Sequence, residues 1–180
     1  TELDIQSEDD ICKPLSNYAV IKLAGENYLS MMSLTSELYL GSLRIFSTFG
    51  ENLKRQLIYD IYQKIKDDPQ NIYLFGSGEE VRDLSYVGDQ VQRIKIVADS
   101  IRPKGDVYNI GSGEATSINS IAEEVVKIMG HGTKINYTSE SRIFDGSSWV
   151  ANMNKMQKLA PNPKSPLLIS LERTINSLED

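Results

Sequence analysis

The sequence predicts an α/β fold built on a largely parallel sheet. Short apolar runs typical of strands alternate with longer segments in which apolar residues recur at helical spacing. Gly and Pro residues separate most of these runs, as they do where strands and helices are joined by turns. This alternation favours parallel pairing, because a helix carries the chain back to the start of the next strand.

The first half of the chain contains two predicted helices and two predicted strands. Ser16 or Asn17 can cap the first helix through a side-chain oxygen, and Asp67-Asp68-Pro69 ends the second. In order, residues 1–16 form a polar, acidic loop, 17–35 a helix, 38–46 a buried strand, 52–66 a helix and 72–75 a strand.

The second half repeats the alternation. Gly130 stands where helices commonly end, and Pro161, Pro163 and Pro166 predict a stiff connector before the last helix. In order, 81–87 form a strand, 89–100 a helix, 107–110 a strand, 117–129 a helix, 134–138 a strand, 155–159 a short helix and 168–178 the last helix.

The composition excludes several kinds of site. The 180 residues carry a formal net charge of −6, whereas nucleic-acid binding needs clustered Lys and Arg. Cys12 is the only cysteine and His131 the only histidine, which excludes a disulfide, the usual Ser/His/Asp chemistry and a well-ligated metal. No apolar run reaches the roughly 18 residues of a membrane span. We therefore expect a cytoplasmic protein with no nucleic-acid partner, no membrane contact and no metal.

Tyr18 and Lys22 form a candidate catalytic pair, because i,i+4 spacing puts both on one helix face. A phenol normally loses its proton near pH 10. An ammonium about 4 Å away stabilises the phenolate by roughly 1 kcal/mol in water but by about 4 kcal/mol in a partly dry site. Since one pKa unit is about 1.36 kcal/mol, only the dry site brings the phenol near neutral pH. Tyr62 and Lys66 repeat the spacing, so the motif alone has little weight.

Four segments carry an ordered set of motifs. Residues 14–26 surround Tyr18 and Lys22, 43–50 form a strand ending in Gly, 74–89 contain Gly-x-Gly, Arg-Asp and Val-x-Asp, and 107–113 end in Gly-Ser-Gly. From about Glu8 to the end, this order resembles the extended short-chain dehydrogenases/reductases, the nucleotide-sugar epimerase and dehydratase family. The ordered set is far more specific than any one motif.

The resemblance implies the C-terminal part of a Rossmann-type parallel sheet plus a small α/β substrate-binding lobe. Residues 1–50 would end the dinucleotide-binding domain. Residues 51–180 would form mainly the substrate-binding lobe, with 81–113 returning to the main sheet. The complete protein would use NAD or NADP in an epimerisation, dehydration or reduction of a nucleotide-diphosphate sugar.

The resemblance also implies roles for the residues around the cofactor. Tyr18 would be the general acid/base and would touch the cofactor. Lys22 would lower the pKa of Tyr18 and hold the nicotinamide ribose, and Phe46 would lie near the nicotinamide. Ser47 stands where relatives commonly carry an Asn that touches the substrate, which leaves the identity of the substrate open.

Two arginines are implied as phosphate ligands. Arg82 would clamp the pyrophosphate of the sugar nucleotide, a role that suits a planar cation with several donors. The alternative for Arg82 is a surface ion pair with Asp83 or another nearby acid. Arg142, before Asp145, occupies a second phosphate-binding position, and its alternative is a solvated loop charge.

Three more residues are implied on the substrate side. Phe75 would border the nucleotide base, or else be a core aromatic. Asn52 and Lys54, which open the predicted helix after Gly50, would face the substrate phosphates, or else form an exposed helix start.

Neither Gly-Ser-Gly segment, 76–78 or 111–113, completes the Gly-x-Gly-x-x-Gly pattern of a dinucleotide-binding loop, because Val81 and Thr116 take its last place. Both segments are therefore predicted to be turns.

Only residues 1–17 precede Tyr18, which leaves no place for the family's glycine-rich loop. We therefore expect this segment alone to be inactive and to bind no NAD or NADP, and to self-associate or pair with a missing N-terminal half through exposed sheet edges. Two alternatives remain open: a non-catalytic module that binds a sugar nucleotide or a partner, and an enzyme completed by a second polypeptide.

Overall fold

The computed structural model describes residues 4–100, 104–138 and 148–179. Helices and strands alternate along these ranges and most strands pair in parallel, so the predicted α/β class is confirmed. The elements are β1 (Ile5–Gln6), α1 (Asn17–Thr35), β2 (Leu40–Ile45), β3 (Ser47–Phe49), α2 (Gln56–Asp67), β4 (Asn71–Leu74), β5 (Val81–Tyr86), α3 (Val87–Ser100), β6 (Lys104–Ile110), β7 (Ala115–Ser117), α4 (Ile118–Met129), β8 (Lys134–Tyr137), β9 (Ser148–Ala151), α5 (Asn154–Gln157) and α6 (Leu167–Glu179).

The strands form one larger sheet and two pairs. The larger sheet has the order β1-β9-β5-β3, and β7 adds to β5 as its antiparallel neighbour. The other two pairs, β2 with β6 and β4 with β8, are parallel. Parallel pairs need crossover connections, which the intervening helices supply.

Helix α1 packs across β2 and β6 and runs antiparallel to both strands. Near the carboxyl ends of the strands, Arg44 of β2 forms an ion pair with Glu26 of α1 at 2.6 Å. Near their amino ends, Ser30 approaches Gly105 so closely that a Cβ there would lie 2.8 Å from its Oγ. Residues of α1 that precede Glu26 therefore lie toward the carboxyl edge of this strand pair.

Two apolar clusters form the core. The first joins α2, α4 and α6 to β4 and β5, and the second fills the space between β6, α3 and α5. Fully buried members of the first are Ile61, Ile65, Ile121, Ala122, Val125 and Leu171. The second contains Val97, Tyr108, Ile110, Ala151, Met153 and Met156.

The structure corrects several boundaries, among them the strand predicted over 107–110, which begins at Lys104. The predicted loop 1–16 contains the short strand β1, and Val87 begins α3 instead of ending β5. The predicted buried strand 38–46 begins at Leu40 and is only partly buried; Ile45 is 56% exposed. Among the described residues this strand pairs with β6 alone, so its other edge has no strand partner there.

The helix predicted from residue 52 begins only at Gln56. Asn52 and Gln56 have φ angles of 63° and 70°, and this left-handed backbone interrupts a right-handed helix. Asn52 and Lys54 therefore lie in a turn ahead of α2. The interpretation of these two residues as a helix start is wrong.

Candidate catalytic pair and substrate-binding face

Tyr18 and Lys22 lie together on the first turns of α1. Ser16 caps this helix by accepting a hydrogen bond from the Ala19 amide at 3.1 Å, which fixes the position of the first turn. The Lys22 ammonium stands 5.4 Å from the centroid of the Tyr18 ring. The Tyr18 side chain is 71% exposed, so water screens the attraction between the ammonium and the phenol.

The second Tyr-x-x-x-Lys pair has a different environment. Tyr62 is only 3% exposed, and its hydroxyl donates to Glu179 at 2.9 Å and contacts the Leu178 carbonyl at 3.2 Å. Burial, followed by the hydrogen bond to Glu179, raises the pKa of Tyr62. A phenol that holds its proton this firmly is a poor base at neutral pH. Tyr62 therefore acts as a structural link between α2 and α6.

Phe46 follows directly after β2, where the strand reaches its carboxyl edge. Its amide donates to the Ile110 carbonyl at 3.0 Å, so the backbone stays tied to β6 beyond the last residue of β2. The ring is partly buried at the margin of the second apolar cluster. Because the first turns of α1 reach toward the same edge, the fold brings Phe46 and the Tyr18–Lys22 pair to one end of this sheet.

Ser47 and Arg82 share one face of the larger sheet. Ser47 pairs with Leu84, which lies two residues after Arg82, and alternate residues of a strand point to the same face. Further along the same strands, the Phe49 and Tyr86 rings contact each other at 5.9 Å. Ser47 is exposed and Arg82 half-buried, so both remain accessible from that face.

Asp83 does not form an ion pair with Arg82. The Asp83 side chain points to the opposite face of the sheet and is buried. The Arg82 guanidinium donates to the Val81 carbonyl at 2.9 Å. On the neighbouring strand β9, Trp149 is in register with Arg82 and is 55% exposed. No sequence motif pointed to this indole, and no strand was predicted at the position of β9.

Asn52, Lys54 and Phe75 occupy other exposed positions of the lobe. The Asn52 amide donates a hydrogen bond to Ser177 Oγ of α6 at 3.1 Å. The side chains of Asn52 and Lys54 are exposed in the turn. Phe75 follows β4 and is 48% exposed, with the Lys64 ammonium 5.8 Å from its ring centroid. The alternative that Phe75 is a core aromatic is therefore wrong. Arg142 lies outside the described residues.

In the first Gly-Ser-Gly segment, 76–78, backbone amides donate hydrogen bonds to the Glu80 side chain. The amides of Ser77 and Gly78 both donate to the Glu80 carboxylate at 2.9 Å. Burial alone would raise the pKa of Glu80, but these amides outweigh it and hold the pKa below its ordinary value. A phosphate would have to displace this carboxylate to reach the turn.

The second segment, 111–113, is bound in the same way by Asp83. This carboxylate accepts hydrogen bonds from the amides of Ser112 at 2.6 Å, Gly113 at 2.9 Å and Ala151 at 3.0 Å. Neither Gly-Ser-Gly segment therefore offers its amides to a dinucleotide pyrophosphate, in agreement with the prediction that both are turns. Contact of Tyr18 and Lys22 with the nicotinamide end of the cofactor stays a prediction.

Other features of the described ranges are independent of these residues. A groove of about 470 Å³ lies between the 111–114 turn, β9 and α5, and none of the predicted site residues lines it. Within residues 4–100, 104–138 and 148–179, no three His, Cys, Asp or Glu side chains group as metal ligands. No helix in those ranges has both the length and the apolar character of a membrane span.

The parallel pairing of β2 with β6 and the antiparallel α1 across them are features of Rossmann-like α/β proteins, and the match to a solved structure at a TM-score of 0.87 shows that the chain has this class of fold. The model of the NAD dependent epimerase/dehydratase family matches residues 1–111. The chain belongs to that family.

Two relatives of known name match 94% and 66% of the chain. An uncharacterized UDP-glucose epimerase, YtcB, of Bacillus subtilis (strain 168) is 26% identical over 171 residues, which are 94% of this chain and 54% of that protein. A dTDP-4-dehydro-6-deoxyglucose reductase of Escherichia coli is 33% identical over 125 residues, 66% of this chain and 38% of the relative.

A solved structure has the same fold. The UDP-glucuronic acid 4-epimerase of Bacillus cereus, in complex with UDP-glucuronic acid and NAD, superposes with a TM-score of 0.87 at 25% identity. The match covers 99% of this chain and 57% of that one. The chain thus spans about half the length of the first two curated relatives, 54% and 56%.

Proposed function

We propose that this chain is the C-terminal part of an NAD- or NADP-dependent enzyme that epimerises, dehydrates or reduces a nucleotide-diphosphate sugar. The observation that carries the proposal is the position of the Tyr18–Lys22 pair, at the carboxyl edge of a parallel strand pair. Ligands of open α/β sheets bind at this edge. Membership of the epimerase/dehydratase family supports the proposal.

Tyr18 removes the proton from a hydroxyl of the sugar as general base and returns it as general acid. Lys22 stabilises the phenolate that Tyr18 needs for this step. Lys22, at the nicotinamide ribose, and Phe46, near the nicotinamide, would hold that end of the dinucleotide, which would supply hydride-transfer chemistry at the same carbon.

The sugar nucleotide lies over the face that carries Ser47 and Arg82. Arg82 binds the pyrophosphate through its planar set of donors, and Ser47 contacts the sugar. Lys54 and Asn52 approach the phosphates from the turn before α2, while Phe75 borders the base and Arg142 supplies a second cation. The nucleotide sugars named for the relatives support this class of substrate.

We infer that the 180 residues alone do not catalyse the reaction. Tyr18 needs a dry environment to act as a base, and here it is 71% exposed. Six further large apolar side chains on or next to α1 are also exposed, and a nucleotide-binding part of the enzyme would cover them together with the unpaired edge of β2. They are Leu15, Val20, Ile21, Tyr28, Met31 and Leu34.

The test combines binding with reconstitution. In titration calorimetry the chain binds UDP-glucose with an affinity that NAD does not change, and the chain alone does not convert UDP-glucose. Mixing it with the nucleotide-binding part of a family member restores turnover. In that mixture Tyr18→Phe lowers kcat by roughly 10²- to 10⁴-fold, whereas Tyr62→Phe is the matched control and leaves kcat unchanged. Turnover that survives Tyr18→Phe contradicts the proposed mechanism.

A second candidate function is a non-catalytic module that binds a sugar nucleotide. The exposure of Tyr18 favours it, because an exposed phenol needs no catalytic role. Affinity for UDP-glucose without turnover in any mixture would support the module. Calorimetry with the GDP, CDP and dTDP sugars identifies the preferred base in either case.

A further inference from the structure

The turn formed by residues 50–56 has an unusual backbone. Asn52 and Gln56 both adopt left-handed conformations, with φ angles of 63° and 70°. Asn tolerates this region, but for a residue such as Gln it is uncommon. Strained backbone persists only where the surrounding structure holds it, and it concentrates at functional sites.

Two hydrogen bonds hold this turn from outside. The Tyr86 hydroxyl donates to Glu51 Oε1 at 2.6 Å, and the Asn52 amide donates to Ser177 Oγ at 3.1 Å. Ser177 is itself fixed in α6, because its hydroxyl donates to the Thr174 carbonyl at 2.7 Å. The turn is therefore attached to the end of β5 on one side and to α6 on the other.

The protonation states of Tyr86 and Glu51 favour the hydrogen bond between them. The bond from Tyr86 is the main reason that the pKa of Glu51 lies below its ordinary value. The same bond raises the pKa of Tyr86, against a smaller opposing effect of Arg173. At neutral pH, a protonated phenol thus donates to a charged carboxylate, which is among the stronger kinds of hydrogen bond.

We propose that Tyr86 and Ser177 are positioning residues that fix the 50–56 turn so that Asn52 and Lys54 meet the diphosphate of the nucleotide sugar. This inference rests on the proposed function, since it assigns the turn to the same substrate site. Neither positioning residue touches the substrate. Through Ser177, helix α6 acts on substrate affinity from outside the site.

The physical reason is preorganisation. Lys54 is a long, exposed side chain, and a cation on a mobile turn must lose backbone freedom as well as side-chain freedom when it binds a phosphate. A turn that is already fixed has lost its backbone freedom on folding. The two hydrogen bonds therefore increase the affinity for phosphate without contributing a contact of their own.

Amide exchange and nucleotide binding test the inference in the 180-residue chain. Ser177→Ala and Tyr86→Phe each remove one hydroxyl, Ser177→Thr keeps a hydroxyl as the rescue variant, and Tyr73→Phe is the matched control on an exposed phenol. With Ser177→Ala the Asn52 amide exchanges roughly five- to tenfold faster, as expected for one lost hydrogen bond. UDP binds roughly three- to tenfold more weakly to Ser177→Ala and Tyr86→Phe, while the affinity for UMP changes less.

A double-mutant cycle separates positioning from general stability. Lys54→Ala on its own weakens UDP binding. If the fixed turn is what makes Lys54 effective, adding Lys54→Ala to Ser177→Ala weakens UDP binding further by less than about twofold. The inference is overturned by unchanged exchange at Asn52, by unchanged UDP affinity in both variants, or by additive effects in the cycle. If the unaltered chain binds no UDP, the proposed function fails first and the inference fails with it.

Discussion

Tyr18 and Tyr62 show how one sequence motif takes two environments. Both are followed four residues later by a lysine whose ammonium lies over the tyrosine ring, at 5.4 Å and 5.8 Å from the centroid. Tyr62 is buried against α6 and hydrogen-bonded, while Tyr18 is exposed at the edge of a parallel strand pair. Burial in the apolar cluster follows from packing between distant elements, so spacing along the chain does not distinguish the two residues.

The first prediction compares these two hydroxyl groups. Tyr62→Phe removes a buried hydrogen bond and lowers the free energy of unfolding by about 1 kcal/mol. Tyr18→Phe changes it by less than about 0.5 kcal/mol, as is usual for exposed sites. Urea unfolding followed by circular dichroism measures both values. A larger loss for Tyr18→Phe than for Tyr62→Phe would contradict the described packing.

The second prediction concerns pH and Glu80. Because its pKa is lower in the folded chain than its ordinary value, the unfolded chain takes up the proton first as pH falls. The stabilisation is therefore present above the ordinary pKa of a glutamate and is lost as pH falls through the folded value. Glu80→Gln removes this part of the pH dependence, and urea unfolding between pH 3 and pH 6 measures it. The exposed neighbour variant Glu79→Gln is the control; an unchanged slope in Glu80→Gln is the contrary result.

At the scale of the elements, the long helices and the strands β4 and β8 were predictable from the sequence, whereas the short strands β1, β3, β7 and β9 were not. Helix α1 spans Asn17–Thr35, as its apolar spacing and Ser16 cap predict, and α4 ends at Gly130 in the left-handed conformation. The strand β1 has two residues and exists because β9 pairs with it and the Asn109 side chain donates to the Gln6 carbonyl at 2.9 Å. Such tertiary contacts leave no periodic pattern in a sequence.

The candidate site divides in the same way. The Tyr18–Lys22 pair and Arg82 could be named from motifs, because each motif belongs to a single regular element. Trp149 could not be named, because its position beside Arg82 depends on the register between β9 and β5. The displaced start of α2 could not be predicted either. Asn52 and Gln56 depart from the helical backbone, and the Asn52 amide is held by Ser177 of α6, far away in the sequence.

The third prediction pairs two glycines of the helices. Gly25 lies inside α1, and a Cβ there meets no described atom within 4 Å, so Gly25→Ala raises the free energy of unfolding by roughly 0.5–1 kcal/mol. Gly130 has a φ of 72° at the C-cap of α4. Gly130→Ala therefore lowers the free energy of unfolding by about 1 kcal/mol, although a Cβ there meets no described atom within 4 Å. Thermal unfolding of the two variants compares them. Equal shifts of the same sign would refute the argument.

At the scale of the whole molecule, one side of α1 stands out. The apolar residues exposed on or beside it are too many for an ordinary solvated helix, and large apolar patches commonly mark interaction surfaces. We predicted self-association or pairing with another polypeptide from the sequence, and this remains a prediction. The boundary between a dinucleotide-binding part ending at residue 50 and a substrate lobe also remains one.

The fourth prediction tests that surface. Ile21→Lys and Leu34→Lys place charges on the exposed face of α1 and shift the chain toward the monomer, because an ammonium is costly to bury between apolar surfaces. Sedimentation equilibrium of the unaltered chain and the variants measures the change. Ile169→Lys alters an exposed apolar residue on another helix, α6, and serves as the control. A chain that is already monomeric at high concentration, or variants that associate as strongly as the unaltered chain, would exclude this surface as the cause.

The Asp83 carboxylate gives the interior an unexpected property. Three backbone amides converge on it, as amides converge on an anion in the concave backbone sites called nests. The chain therefore folds around an anion that it supplies itself. Asp83→Ala would leave these three amides and the Ser112 hydroxyl, which also donates to Asp83, without their acceptor. Part of the stability of this variant should then depend on added formate or acetate. If formate raises the stability of Asp83→Ala but not that of the unaltered chain, a dissolved anion has replaced the Asp83 carboxylate.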